Sequence, residues 1–429
     1  MRALMIVLAR TAAAVARPAA AVALAAAAVA PAAVVLAPAA AAQCRLLCLG
    51  GPPAPSEPSP APVPVPSEPP PPVALGFSDV TALHPSFPNA VFTDLIAGTG
   101  GGLHRWVASW GNYEPSAGAI EPGYLAHLEE TYAAQLERGI RPVVVLFGSP
   151  RWTLDPWART PGGGRPCKDP AVPCLAPPNV RNGGVRAAWK EWVRTIVRRF
   201  PQAAGIEVWN EPNLQWSWVV EQDPALYALL VKATREAVGD LGSAIPVLTG
   251  GLSDTTRSSS RSTSLEDMLR AVYYHAGHGA FDAISFHVYP CAQHSSATTH
   301  PQSSLERVRR YKAAKGDLAR PVWITETGAA TAGSASEGCG LGYTDGGQAA
   351  ALSDVVAWAR STQSTAGDLP VVLVNSLVNA QPRADVEVPH TEGRLEYGVV
   401  AWAQDAGAGA SIRPKPAYDA LRCAFAGTC

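Results

Sequence analysis

The sequence predicts an α/β chain of (β/α)8 (TIM) barrel architecture, and three observations carry the prediction. Short apolar runs take turns with amphipathic runs, the sign of a parallel sheet with crossover helices. The unit recurs eight times with no G-x-G-x-x-G after the first apolar run, which favours a closed barrel over an open doubly wound sheet. Two of the runs stop abruptly at a glutamate, and strand tips are where such a barrel carries its chemistry.

The apolar runs, read as strands, are 73–80, 103–109, 142–147, 205–209, 245–249, 283–287, 321–325 and 370–374. Helical periodicity predicts helices over 122–138, 185–200, 224–241, 264–277, 305–315 and 347–361. Ahead of them, Arg2, Arg10 and Arg17 precede an Ala/Val/Leu stretch that ends in Ala40-Ala41-Ala42. Residues 1–42 therefore read as a secretory signal peptide or an uncleaved signal anchor. Pro31 and Pro38 weaken a spanning helix without excluding it. Residues 43–72 are Pro-rich and lack any core-forming pattern, so a polyproline-type spacer is expected, with one catalytic domain over 73–429.

Composition narrows the function. A hydrophobic content of 47% suffices for a packed core. Lys+Arg 34 against Asp+Glu 35 leaves a formal charge of -1, so no electrostatic footprint for nucleic acid or an anionic membrane appears. A neutral ligand fits better. Eight cysteines behind an export-like segment point to an oxidising, secreted or cell-surface destination. They fall into the near pairs Cys44/Cys48, Cys167/Cys174 and Cys423/Cys429, with Cys291 and Cys339 further apart on loops after the sixth and seventh strands. A bond between those last two requires the two strands to be neighbours.

The fourth strand ends Trp209-Asn210-Glu211-Pro212-Asn213. Pro212 has no N–H to continue a ladder, which leaves Glu211 at the carboxyl end. The seventh ends Ile324-Thr325-Glu326-Thr327-Gly328 and places Glu326 likewise. Two carboxylates facing one another across a barrel mouth are what glycosidic bond hydrolysis requires. Arg105, inward on the second strand, needs a carboxylate and is expected to hold Glu326 ionised, or else to form a structural ion pair elsewhere. With a period of two, His287 and Tyr289 project to one side, into the mouth. Tyr289 would donate to the nucleophile, and His287 would position a hydroxyl or a neighbouring side chain. Glu114, beside Pro115, reads as loop scaffolding. Trp152 either lines a sugar subsite or belongs to the core. Trp216 and Trp218, set among Gln215 and Ser217, read as exposed platforms on the rim. His275, His278, His287, His294 and His300 cluster in sequence, yet their spacing fits neither H-E-x-x-H nor a Cys/His zinc pattern, so no metal and no cofactor are expected.

Taken together, Trp209–Asn213, Ile324-Thr325-Glu326, His287-Val288-Tyr289, Arg105 with Trp110 and Glu114-Pro115, and the terminal Lys415-Pro416-Ala417-Tyr418 resemble the clan A retaining glycoside hydrolases, most of all the cellulase-like family 5 and family 39 members. The resemblance covers most of 73–429. It implies a (β/α)8 barrel with Glu211 as acid/base and Glu326 as nucleophile. It also implies that Asn210 binds the sugar 2-hydroxyl, that Arg105 and Tyr289 support the nucleophile, and that Trp110 lies at the site. One departure stands out: the family often ends strand eight with an aromatic subsite floor, whereas here the tip reads Val374-Asn375-Ser376, with Trp402 downstream as a substitute. The expected partner is an oligo- or polysaccharide, and the chain is expected to be monomeric. A non-catalytic carbohydrate-binding barrel, or a transglycosylase using the same covalent intermediate, remains open beside hydrolysis.

Overall fold

The computed structural model describes residues 69–79, 89–155, 175–218, 222–379, 396–405 and 409–429. Eight parallel strands close into a barrel in sequence order: β1 (Ala74–Ser78), β2 (Leu103–Ser109), β3 (Arg141–Phe147), β4 (Gly205–Asn210), β5 (Val247–Ser253), β6 (Ile284–His287), β7 (Val322–Thr327) and β8 (Val371–Asn375). β8 returns to β1 with Ala74 beside Val371 and Ser78 beside Asn375, so no edge is left to pair. All eight expected strands are present. The signal region 1–42, most of the linker, and the cysteine pairs Cys44/Cys48 and Cys167/Cys174 lie outside the described residues. Among the described residues no helix is long and apolar enough to cross a membrane.

The helices are α1 (Asn89–Thr99), the single turn α2 (Trp110–Tyr113), α3 (Pro122–Leu136), α4 (Gly183–Arg199), α5 (Pro224–Gly239), α6 (Leu265–Ala271), α7 (Thr299–Ala314), α8 (Asp345–Ala366) and α9 (Pro416–Ala426). Their starts follow capping chemistry. Asn182 accepts from the N–H groups of Gly184 and Val185, and Asp223 accepts from Leu226 N–H ahead of Pro224 at the first helical position. Sequence periodicity does not reveal α1, whose buried Phe92 and Ile96 stand one turn apart, the final hairpin β9 (Val400–Asp405) and β10 (Gly409–Pro414), or α9. α9 closes the helical ring: the Tyr418 hydroxyl donates to Leu95 O at 2.9 Å, and Phe425 meets Phe77 with ring centroids 5.8 Å apart.

β5 runs four residues past its expected end because Gly250 and Gly251 are not a turn. A Cβ on Gly250 would lie 2.3 Å from Val208 O, and one on Gly251 only 1.9 Å from His287 Nε2. Both positions are bare because neighbours occupy the space a side chain would need.

Inside the barrel the side chains form layers. An apolar plug of Leu103, Val143, Leu248, Ala283, Trp323, Val371 and Leu373 fills one end. Above it lies a buried polar layer of Ser78, Arg105, Glu207, Ser285 and Thr325. The carboxyl ends of the strands carry the next layer, which contains both glutamates singled out in the sequence.

Candidate active site

Strict strand alternation would not turn both glutamates inward. Glu207 faces the barrel interior, and two steps further the backbone departs from the β region: Trp209 has φ 73° and Glu211 φ 41°. Non-glycine residues rarely adopt this left-handed region, and it costs about 1–3 kcal/mol per residue, a strain that collects at functional sites. The turn delivers Asn210 and Glu211 to the mouth together. On β7 the pairing register shifts between Ile324 and Thr327, and that irregularity turns Glu326 inward beside Thr325.

The glutamates share one neighbour. His287 Nδ1 lies 3.0 Å from Glu211 Oε1 and 3.4 Å from Glu326 Oε2. Two sides of 3.0 Å and 3.4 Å cap the third at 6.4 Å, so these two carboxylate oxygens are no further apart than that. Burial, reinforced by the Arg105 cation, holds the His287 pKa well below its usual value. The imidazole is therefore neutral, and its contact with Glu211 is a hydrogen bond rather than an ion pair. Its Nε2 is buried without a partner among the described residues, at the point where Gly251 makes room for the ring.

Glu326 is held from two sides. Arg105 donates from Nη1 to Glu326 Oε1 at 2.6 Å, and the Tyr289 hydroxyl donates to Oε2 at 2.7 Å. Asn375 Nδ2 donates in turn to the Tyr289 hydroxyl at 2.9 Å. Burial, with Glu326 next in effect, pushes the Tyr289 pKa well above its usual value, so the phenol keeps the proton it donates. Arg105 also reaches Asn210 Oδ1 at 2.7 Å and Glu207 Oε1 from Nε at 3.0 Å. Burial alone would lower the guanidinium pKa, and the Glu207 and Glu326 carboxylates together reverse that and raise it.

Of the residues expected at the site, Arg105, Asn210, Glu211, His287, Tyr289 and Glu326 converge. The tryptophans divide. Trp218 is not an exposed platform: it is 0% exposed, packed edge-on against Trp209 and Tyr227. Its polar neighbours misled because Ser217 is itself buried, with its carbonyl accepting Trp209 Nε1 at 2.9 Å and its hydroxyl donating to Asn210 O. Trp110 is likewise 0% exposed, its Nε1 donating to Glu114 Oε2 at 3.0 Å and its ring set edge-on to Trp152 and Trp189, so it offers no face to a ligand. Glu114 is scaffolding as expected, and its carbonyl also accepts Trp152 Nε1 at 3.1 Å. Trp152 and Trp216 are partly exposed, while the side chain of Trp402 lies outside the described residues.

Four residues at the site were not singled out from the sequence: Ser78, Glu207, Asn375 and Tyr397. The first three sit on inward strand positions, and a charged residue inside an apolar strand was the available signal for Glu207. Tyr397, whose ring lies 5.4 Å from that of Tyr289, comes from a segment with no strand or helix pattern. The Cys291–Cys339 disulfide is present and ties the loops after β6 and β7 together beside Tyr289. Cys423–Cys429 closes the C-terminus.

No family model matches the chain, and no curated protein matches it either. Among solved structures, the chain is similar to a family 39 glycoside hydrolase from Bacteroides cellulosilyticus WH2, with TM-score 0.55 and 17% identity over 82% of this chain and 63% of that one. It is also similar to the exo-beta-1,4-mannosidase Op5Man5 from Opitutaceae bacterium strain TAV5, with TM-score 0.54 and 18% identity over 83% and 59%. A beta-glucosidase from Exiguobacterium marinum aligns with TM-score 0.55 and 12% identity over 83% and 98%. The chain thus spans less than two thirds of the length of the first two. At these identities the likeness establishes a shared (β/α)8 fold, the fold of clan A glycoside hydrolases that the sequence motifs resemble.

Proposed function

We propose that the chain is a retaining glycoside hydrolase that cleaves O-glycosidic bonds of an oligo- or polysaccharide by double displacement. Glu211 protonates the departing glycosidic oxygen while Glu326 attacks the anomeric carbon and forms a glycosyl ester. Glu211, now a carboxylate, takes a proton from water, and that water attacks the anomeric carbon and frees Glu326, so configuration is retained.

The observation that carries this reading is the placement of both carboxylates around His287 Nδ1, at 3.0 Å and 3.4 Å. Inverting pairs stand about 6.5–9.5 Å apart to admit a water between them, and retaining pairs about 5–5.5 Å. The clamp on Glu326 by Arg105 and Tyr289 supports its role as an ionised nucleophile, while the neutral His287 against Glu211 supports a residue that trades a proton. The mannosidase and beta-glucosidase names of structures with the same fold support a β-glycosidic substrate.

The test is a panel of aryl β-glycosides and polysaccharides with the anomeric product followed by proton NMR. Retention is expected, with Glu326→Gln inactive by at least about a thousandfold. A first-formed product of inverted configuration refutes double displacement. A wild-type chain that cleaves nothing yet binds glycans as well as Glu326→Gln does refutes the hydrolase reading.

A further inference from the structure

One guanidinium serves two carboxylates. Arg105 is 3% exposed and Glu207 0%, so both sit where an unpaired charge is costly. Glu207 Oε1 takes Arg105 Nε at 3.0 Å and also Nη2, and Glu207 Oε2 takes the Ser285 hydroxyl at 2.8 Å. Glu326 takes only Nη1. The layer therefore holds one cation and two acids, one more negative group than pairing requires.

That surplus has a use if Glu326 spends part of the cycle without its charge. When Glu326 Oε bonds to the anomeric carbon, the bond to the leaving oxygen breaks and that oxygen takes the proton of Glu211. The new negative charge rests on Glu211, whose Oε1 lies 3.0 Å from His287 Nδ1. Ester formation removes the charge of the Glu326 carboxylate that Arg105 Nη1 holds, and Glu207, on Nε and Nη2, is the carboxylate that stays on the guanidinium.

We propose that Glu207 is a positioning residue that keeps Arg105 paired while Glu326 is esterified. The inference rests on the hydrolase reading for its place in the cycle, but the pairing itself is testable without substrate. Glutamine at position 326 mimics the ester by removing the charge and keeping the shape. Glu326→Gln alone is expected to move the melting temperature by no more than about 2 °C, because Glu207 still pairs Arg105. Glu207→Gln/Glu326→Gln is expected to fall further than the two single changes combined, by on the order of 5–10 °C. Additive changes, or a large drop from Glu326→Gln alone, overturn the proposal. The second of these decides the matter even if Glu207→Gln fails to fold.

The kinetic arm uses an activated 2-deoxy-2-fluoro glycoside to trap the ester. In Glu207→Gln, ester formation is expected to slow by about 10-fold or more while hydrolysis of the trapped ester is not slowed, since only the intermediate loses its counter-ion. A merely structural lesion slows both steps alike, and that result also overturns the proposal. A wild-type chain that forms no ester refutes the hydrolase reading, whereas the melting cycle still reports whether Glu207 pairs the cation.

Discussion

Gly251→Ala tests the geometry of the site from one added methyl group. Its Cβ would stand 1.9 Å from His287 Nε2, 2.5 Å from Cδ2 and 2.7 Å from Cε1. Non-bonded heavy atoms rest near about 3.5 Å, so the ring must retreat by roughly 1.5 Å. His287 is 1% exposed and has no open side to retreat into. The move breaks its 3.0 Å bond to Glu211 and removes the nitrogen around which both carboxylates are arranged. A misplacement of about 1 Å in a catalytic constellation costs on the order of 100-fold in rate, and overpacking costs about 1–3 kcal/mol of stability. We therefore expect kcat/KM on an aryl glycoside to fall about 100-fold, with folded protein retained and the melting temperature lowered by a few degrees. Gly239→Ala, where the added Cβ meets nothing within 4 Å, is the control. A Gly251→Ala enzyme with activity within about threefold of the parent would refute the crowded contact and the role given to His287.

Three further expectations follow from other parts of the molecule. Trp218→Ala should cost about 3–5 kcal/mol in denaturant unfolding and leave KM within about twofold, because the ring is core; a raised KM at unchanged stability would restore the rim-platform reading. Removing the Cys291–Cys339 bond, whose ends are 48 residues apart, by Cys291→Ser/Cys339→Ser should cost about 4 kcal/mol by loop closure. A variant as stable as the parent would contradict that. Both ring nitrogens of His300 meet acceptors, Tyr289 O at 2.9 Å and Asp254 Oδ2 at 2.9 Å, a pattern that imidazolium satisfies with two N–H groups. The hydrogen bond to Asp254 leads the causes that raise its pKa, against burial and the Arg307 charge. A raised folded pKa stabilises fully below the unfolded value near 6.5 and is lost as pH climbs through the folded value. The melting-temperature gap between wild type and His300→Gln should shrink from about pH 6 to about pH 9, and a constant gap would exclude the imidazolium.

The barrel was legible because its signals are local. Each strand is a short apolar run of a type the chain repeats, and Pro212 and Gly328 mark where two of them stop. The partnership of Cys291 with Cys339 followed once β6 and β7 were neighbours. α1 was passed over because its buried face is only Phe92, Thr93, Ile96 and Thr99, too sparse to read as a stripe. The tryptophans failed for a different reason: burial depends on where the loop returns. Ser217 looks like solvent chemistry in a sequence and is a hydrogen-bonding core residue in the fold.

By itself the sequence determined the number and order of the strands, the carboxyl-end placement of Glu211 and Glu326, and the common orientation of His287 and Tyr289. All of these depend on periodicity and on residues that cannot continue a ladder. Only the tertiary structure decided that Glu207 belongs with Arg105, since they are 102 residues apart and meet on strands that are not neighbours. It alone decided that both glutamates face one another, through a left-handed turn at Trp209 and Glu211 and a register shift on β7. Both are departures from the two-residue period, so a reading that rests on that period does not contain them.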